Sequence, residues 1–141
     1  MPTFALRGAD LDFDVSGSAG PAVVQLHGLT SSRHRDTLLG LDLARSLAPS
    51  DARILRYDAR GHGRSTGRDE ADDYRWDRLA GDLLELLDHV FPGEAVHGIG
   101  PSMGTGTLLH AAVHDEGRFA GLILAIPPTA WASRVSQARL Y

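Results

Sequence analysis

An apolar run, Ala95-Val96-His97-Gly98-Ile99, passes straight into Gly100-Pro101-Ser102-Met103-Gly104, and an apolar stretch of helical character, Met103 to Val113, begins at once. A chain patterned this way has no room for a loop between a buried strand and the helix that follows. It must turn at the serine, and a residue at so sharp an apex takes strained dihedrals that surrounding packing has to hold. Gly100 and Gly104 let strand and helix approach without Cβ clashes. Pro101 fixes its own φ and biases Gly100 toward the extended backbone of a strand end. Met103 opens the helix, so its N–H has no intrahelical partner and is free to bind an anion.

Gly-x-Ser-x-Gly alone is a weak pattern, and the chain contains it twice. The second copy, Gly63-Arg64-Ser65-Thr66-Gly67, is an internal control. Its nearest upstream strand residue is Tyr57, and the charged stretch Arg68, Asp69, Glu70, Asp72, Asp73 follows, so Ser65 lies in a loop flanked by a loop. Only Ser102 has the strand–Ser–helix setting of a nucleophile elbow. A rival reading takes Gly98-Ile99-Gly100-Pro101-Ser102-Met103-Gly104 as a loose relative of dinucleotide-binding loops. That chemistry wants an acidic residue about 20 positions on, at the end of the next strand. The next strand here, Leu122 to Ile126, runs into Pro127-Pro128-Thr129, and no acid follows Glu116.

Strands and helices alternate through the rest of the chain. Thr3 to Leu6, Leu11 to Val15, Ala22 to Leu26, Arg53 to Tyr57 and Phe119 to Ile126 read as further strands. Helices are expected from about Asp36 to Ala48, with five leucines supplying apolar faces, and from Trp76 to Val90, where Leu79, Leu83, Leu86, Leu87 and Val90 recur at helical spacing and Arg78–Asp82 forms an i,i+4 pair. The acidic run at residues 69–73 reads as a solvated loop that complements the start of the Trp76 helix. The expected fold is α/β: a mostly parallel sheet flanked by helices, over residues 1–127, with residues 128–141 starting something new.

Composition narrows the function classes. The 141 residues are 43% apolar and 23% charged, which suits one soluble domain with a single core. A net charge of −4 without a basic run argues against nucleic acid as partner. With no cysteine, disulfides, thiolate metal sites and cysteine catalysis are excluded. No stretch reads as a signal peptide or a membrane span, so a cytoplasmic protein is expected.

Three motifs in order carry a family resemblance: His27-Gly28-Leu29 after one strand, Tyr57-Asp58-Ala59-Arg60-Gly61-His62-Gly63-Arg64-Ser65 after the next, and the Ser102 elbow. Together they resemble the α/β-hydrolase superfamily, and within it the esterase, enol-lactonase and non-haem haloperoxidase group. The resemblance implies Ser102 as nucleophile and the backbone N–H groups of Leu29 and Met103 as oxyanion hole, with His27, Gly28, Gly100 and Gly104 in support. It implies loop-structuring roles for Asp58, Arg60 and His62. No cofactor or metal is implied, and the substrate class is small carboxylic esters or lactones. Pro101 departs from the family, where that position is often His, aromatic or polar, and is expected to alter the pocket wall.

The resemblance covers the first six strands and the beginning of a cap, so a truncated fold lacking the last strands and most of the cap is expected. The family's chain order is Ser, then Asp or Glu, then His. After Glu116 this chain has no Asp, Glu or His. Of the internal candidates, His27 ends a strand at the same sheet edge as Ser102 and comes nearest to serving as base; His97 is expected to be packed. His110 and His114 have zinc-binding spacing, but Ala111 stands where a metalloprotease carries Glu. The expectation is a hydrolase weak or inactive as these 141 residues. Two alternatives are a non-catalytic module that self-associates through an exposed edge strand at 122–126, and a perhydrolase or haloperoxidase reaction at the same site.

Overall fold

The computed structural model describes residues 2–127; the expected cap start at 128–141 lies outside the described residues. Six strands form one sheet: β1 (Thr3–Leu6), β2 (Ala9–Ser16), β3 (Ala22–Gln25), β4 (Arg53–Tyr57), β5 (Val96–Pro101) and β6 (Phe119–Ala125). Their spatial order is β1-β2-β4-β3-β5-β6. The β1–β2 and β2–β4 pairs are antiparallel, while β4, β3, β5 and β6 run parallel. All four residues of β3 are buried, as expected of a central strand covered on both faces.

Helices α1 (Arg33–Leu38) and α2 (Leu43–Leu47) follow β3, α3 (Trp76–Val90) follows β4, and α4 (Met103–His114) follows β5. From β3 the chain moves to one side, to β4; from β4 it returns across β3 to β5 and on to β6. Right-handed crossovers therefore place α1 and α2 on one face of the sheet and α3 and α4 on the other. Two cores result. Leu79, Leu83, Leu86 and Leu87 are buried on α3, and Leu83, Leu86 and Leu87 join Leu11, Val24, Leu26, Leu55 and Leu108 in the larger one. Val23, Ala44, Ala52, Ile54 and Ile99 form the smaller. Because the chain leaves β3 and β5 in opposite directions, their carboxyl ends flank a crevice, the place where open α/β sheets bind ligands.

Three expectations need correction. The helix expected over 36–48 is two short helices, because Gly40 takes a φ of 72°. The Gly40 N–H donates to the Thr37 carbonyl (3.2 Å) and the Leu41 N–H to the Asp36 carbonyl (2.8 Å), a Schellman ending. Its leucines do not make a buried face: Leu38, Leu39, Leu41 and Leu47 are exposed. Second, Asp82 does not pair with Arg78 but is buried and accepts two bonds from Arg60, and Asp73, far from solvated, is buried against Arg68 and Arg60. Third, His97 is exposed, since among the described residues no helix covers the β5–β6 half of the α2 face.

Candidate active site

Ser102 sits between β5 and α4 with φ 50° and ψ −113°, a region that non-glycine residues rarely occupy. The described structure fixes it from three directions. Its N–H donates to the Ala125 carbonyl at the end of β6 (2.9 Å), and its own carbonyl accepts from the Gly106 N–H (3.2 Å). The Thr105 hydroxyl, fully buried one turn into α4, lies 2.7 Å from the Gly100 carbonyl and 3.0 Å from that of Ala125. The flanking glycines fit a tight space. A Cβ on Gly104 would stand 2.9 Å from the Leu26 Cβ, and one on Gly100 3.2 Å from the Gly104 carbonyl carbon. The elbow is thus pressed against the end of β3.

Across that contact lies the loop carrying Leu29. A Cβ on Gly28 would lie 3.9 Å from the Ser102 Cβ, so the two are neighbours. The Gly28 carbonyl accepts from the Ser31 N–H (3.1 Å), and Thr30 has a φ of 64°. That makes a turn of type II character, with a β-branched residue where glycine is usual. His27 is buried beneath it. The Ala59 N–H donates to Nε2 (2.9 Å), so Nε2 carries the lone pair and the proton sits on Nδ1, which donates to the Gly28 carbonyl (2.8 Å). In a trans peptide the carbonyl of Gly28 and the N–H of Leu29 point opposite ways, so fixing the first aims the second. Burial, aided by His62 with its ring centroid 5.2 Å away, lowers the His27 pKa and keeps the ring neutral. Neither the Leu29 nor the Met103 N–H donates to another protein group among the described residues.

Both His27 nitrogens are thereby engaged, and no side chain bonds the Ser102 hydroxyl among the described residues. His27 positions the loop and is not placed as a base. His110 stacks on Trp76 at 5.9 Å, and no group of three or more His, Asp or Glu could hold a metal among the described residues. Ser65 is tied up structurally: its hydroxyl donates to the Asp58 carbonyl (2.6 Å) and accepts from the Asp12 N–H (2.9 Å).

Asp58 joins the two loops. Its carboxylate accepts the Arg33 N–H (2.9 Å) and the Arg64 N–H (3.0 Å). Burial alone would raise its pKa, but these N–H groups and the Arg33 guanidinium hold it below the usual carboxylate range. Arg33, itself buried, also meets Asp12 and Asp14. Beneath the elbow a cavity of about 10 Å³, lined by His27, Arg60, Asp82 and Met103 among others, has room for a single water.

A mostly parallel α/β sheet with a strained serine at its switch point defines the class, and the comparisons name the family. The family model for the alpha/beta hydrolase fold matches residues 21–140. The chain belongs to the α/β-hydrolase family. It is 39% identical over 72 residues to 3-oxoadipate enol-lactonase 2 of Acinetobacter baylyi, a match covering 51% of this chain and 26% of the enzyme. It is 33% identical over 90 residues to human monoglyceride lipase, covering 61% and 29%. The structure of a hydrolase from Pseudomonas aeruginosa superposes with a TM-score of 0.80 at 30% identity, over 99% of this chain and 50% of that one. The chain thus spans about half the length of that structural relative, and its matches cover less than a third of the two enzymes.

Thr105 and Arg33 escaped the sequence reading. A threonine three residues into a helix gives no signal until both strand ends lie above it, and Arg33 is one of many arginines. Replacing Thr105 by valine keeps the shape and strips a buried hydroxyl from two carbonyls, which is expected to cost about 1–3 kcal/mol. A urea unfolding midpoint equal to wild type would show the hydroxyl to be idle.

Proposed function

We propose that the chain carries the nucleophile side of a serine hydrolase acting on small carboxylic esters or lactones. The observation that supports this best is Ser102 itself, held at strained dihedrals between two closely packed glycines. Its Oγ attacks the carbonyl carbon, and the developing oxyanion accepts hydrogen bonds from the Leu29 and Met103 N–H groups. The similar proteins are named as an enol-lactonase and a monoglyceride lipase, both of which fit carbonyl substrates of this kind. In the family's chain order the acid and base come after the serine, and these 141 residues have no Asp, Glu or His after Glu116. We place both in the part of the fold that these residues do not span.

An oxyanion hole and binding alone leave roughly 10³–10⁴-fold over water once a triad member is gone. The 141-residue chain is therefore expected to react slowly with a fluorophosphonate probe, at Ser102. Intact mass after timed incubation reads this directly, and Ser102→Ala should abolish the adduct. Equal labelling of both proteins would refute the nucleophile assignment, whereas fast stoichiometric labelling would refute the need for an outside base.

A second reading draws on β6, which is an edge strand of the sheet and exposes Ile123 and Leu124. Such an edge can pair with another copy. A monodisperse monomer in sedimentation velocity would exclude it.

A further inference from the structure

Among the described residues, the three non-glycine residues at positive φ are Thr30, Ser102 and Ile126. They lie at the carboxyl ends of β3, β5 and β6, which are neighbours in the sheet. The strand registers set their relative height. Gln25 lies opposite Ile99 and Gly100 opposite Leu124, so continuing each ladder brings Gly28 and Ile126 level with Ser102 on either side. The Gly28–Ser102 contact and the bond from Ser102 N–H to Ala125 carry the ladders at least that far. Adjacent strands are about 5 Å apart, so the Ile126 backbone stands one strand spacing from the nucleophile.

A β-branched residue in the left-handed region is an outlier, and such strain persists only where something holds it. Here the hold is on the preceding carbonyl, since Ala125 accepts from both the Ser102 N–H and the Thr105 hydroxyl. Packing does not repay the strain: Ile126 is 79% exposed. On the opposite flank, next to Gly28, the Leu29 side chain is 47% exposed. The two nearby imidazoles are engaged elsewhere, His27 with Ala59 and Gly28 and His62 with the Arg60 carbonyl. Along the strand ladders the serine thus stands between the Gly28-Leu29 turn and Ile126, both of which carry exposed aliphatic side chains.

We propose that Ile126 and the Leu29 side chain form an apolar rim that grips the acyl chain of the substrate, so that the site selects esters or lactones bearing several methylenes over acetyl esters. This rests on Ser102 being the nucleophile. Two fluorophosphonates differing only in a methyl or hexyl group on phosphorus test it on the 141-residue chain. In each case the Ser102 Oγ–P bond forms, the P–F bond breaks, fluoride leaves and the hydroxyl proton passes to solvent. Each methylene buried contributes about a fourfold factor, so two on the rim give a hexyl preference of about fifteenfold.

Ile126→Ser and Ile126→Gly should each reduce that ratio to about fourfold or less, the glycine also suiting the left-handed backbone. Val113→Ser, on a side chain 80% exposed on α4, should leave the ratio intact. Equal methyl and hexyl rates in wild type, or an unaltered ratio in both Ile126 variants, would overturn the rim while leaving the nucleophile standing. Failure of both probes to label Ser102 would instead remove the nucleophile, and the rim with it.

Discussion

Arg33→Ala is expected to destabilise the chain by about 3–5 kcal/mol, the largest effect of any single substitution considered. The guanidinium is buried and faces three carboxylates: Asp12, Asp14 and Asp58. Asp12 and Asp58 are themselves buried, so removing the cation leaves them charged or forces them to take up protons. The intact cluster contributes far less than this figure, because desolvating four charged groups offsets most of the attraction. A double variant separates the two. Asp12→Asn on the Arg33→Ala background relieves one uncompensated charge and should recover part of the loss. Urea unfolding of the two single variants and the double variant measures the coupling. Purely additive losses would show that Arg33 and Asp12 do not stabilise each other.

The same cluster shows where sequence legibility stops. Strands and the α3 helix are local signals, so the Trp76–Val90 helix and the six strands, to within about two residues at their ends, follow from local pattern. The Ser102 elbow is legible for the same reason, because strand, turn residue and helix are contiguous in the chain. What could not be read is every contact made across the sheet. Asp12, Arg33 and Asp58 come from β2, α1 and the loop after β4, and nothing in their spacing announces that they meet. The split at Gly40 was missed because five leucines gave a helical pattern that outweighed one glycine. In the fold four of those leucines face solvent, only Leu43 packs on the smaller core, and the glycine decides the backbone. The partner of Asp82 was missed likewise: a residue four positions away on its helix was the visible candidate, while Arg60 approaches from a loop.

His27→Ala is expected to cost about 1–3 kcal/mol at neutral pH, and this loss should shrink on acidification. The cost arises because the Ala59 N–H loses its acceptor, whereas the Gly28 carbonyl keeps the Ser31 N–H. The pH dependence follows from the direction of the shift. Burial lowers the His27 pKa in the folded chain, while an unfolded histidine titrates at about 6.5. Above that value both states are neutral and the full stabilisation is present. As pH falls below it the unfolded state takes up a proton that the folded state refuses, so stability drops until the depressed folded value is passed. The alanine variant has no such proton to take up. The gap between the two urea midpoints should therefore be wide at pH 7.5 and narrower at pH 5, and a constant gap would mean that His27 is not held neutral. Once protonated, Nε2 can no longer accept from Ala59, and the clamp that aims the Leu29 N–H loosens. Slower phosphonylation of Ser102 should therefore set in only below the pH range over which wild-type stability falls, and an unchanged rate there would separate the clamp from the proposed oxyanion hole.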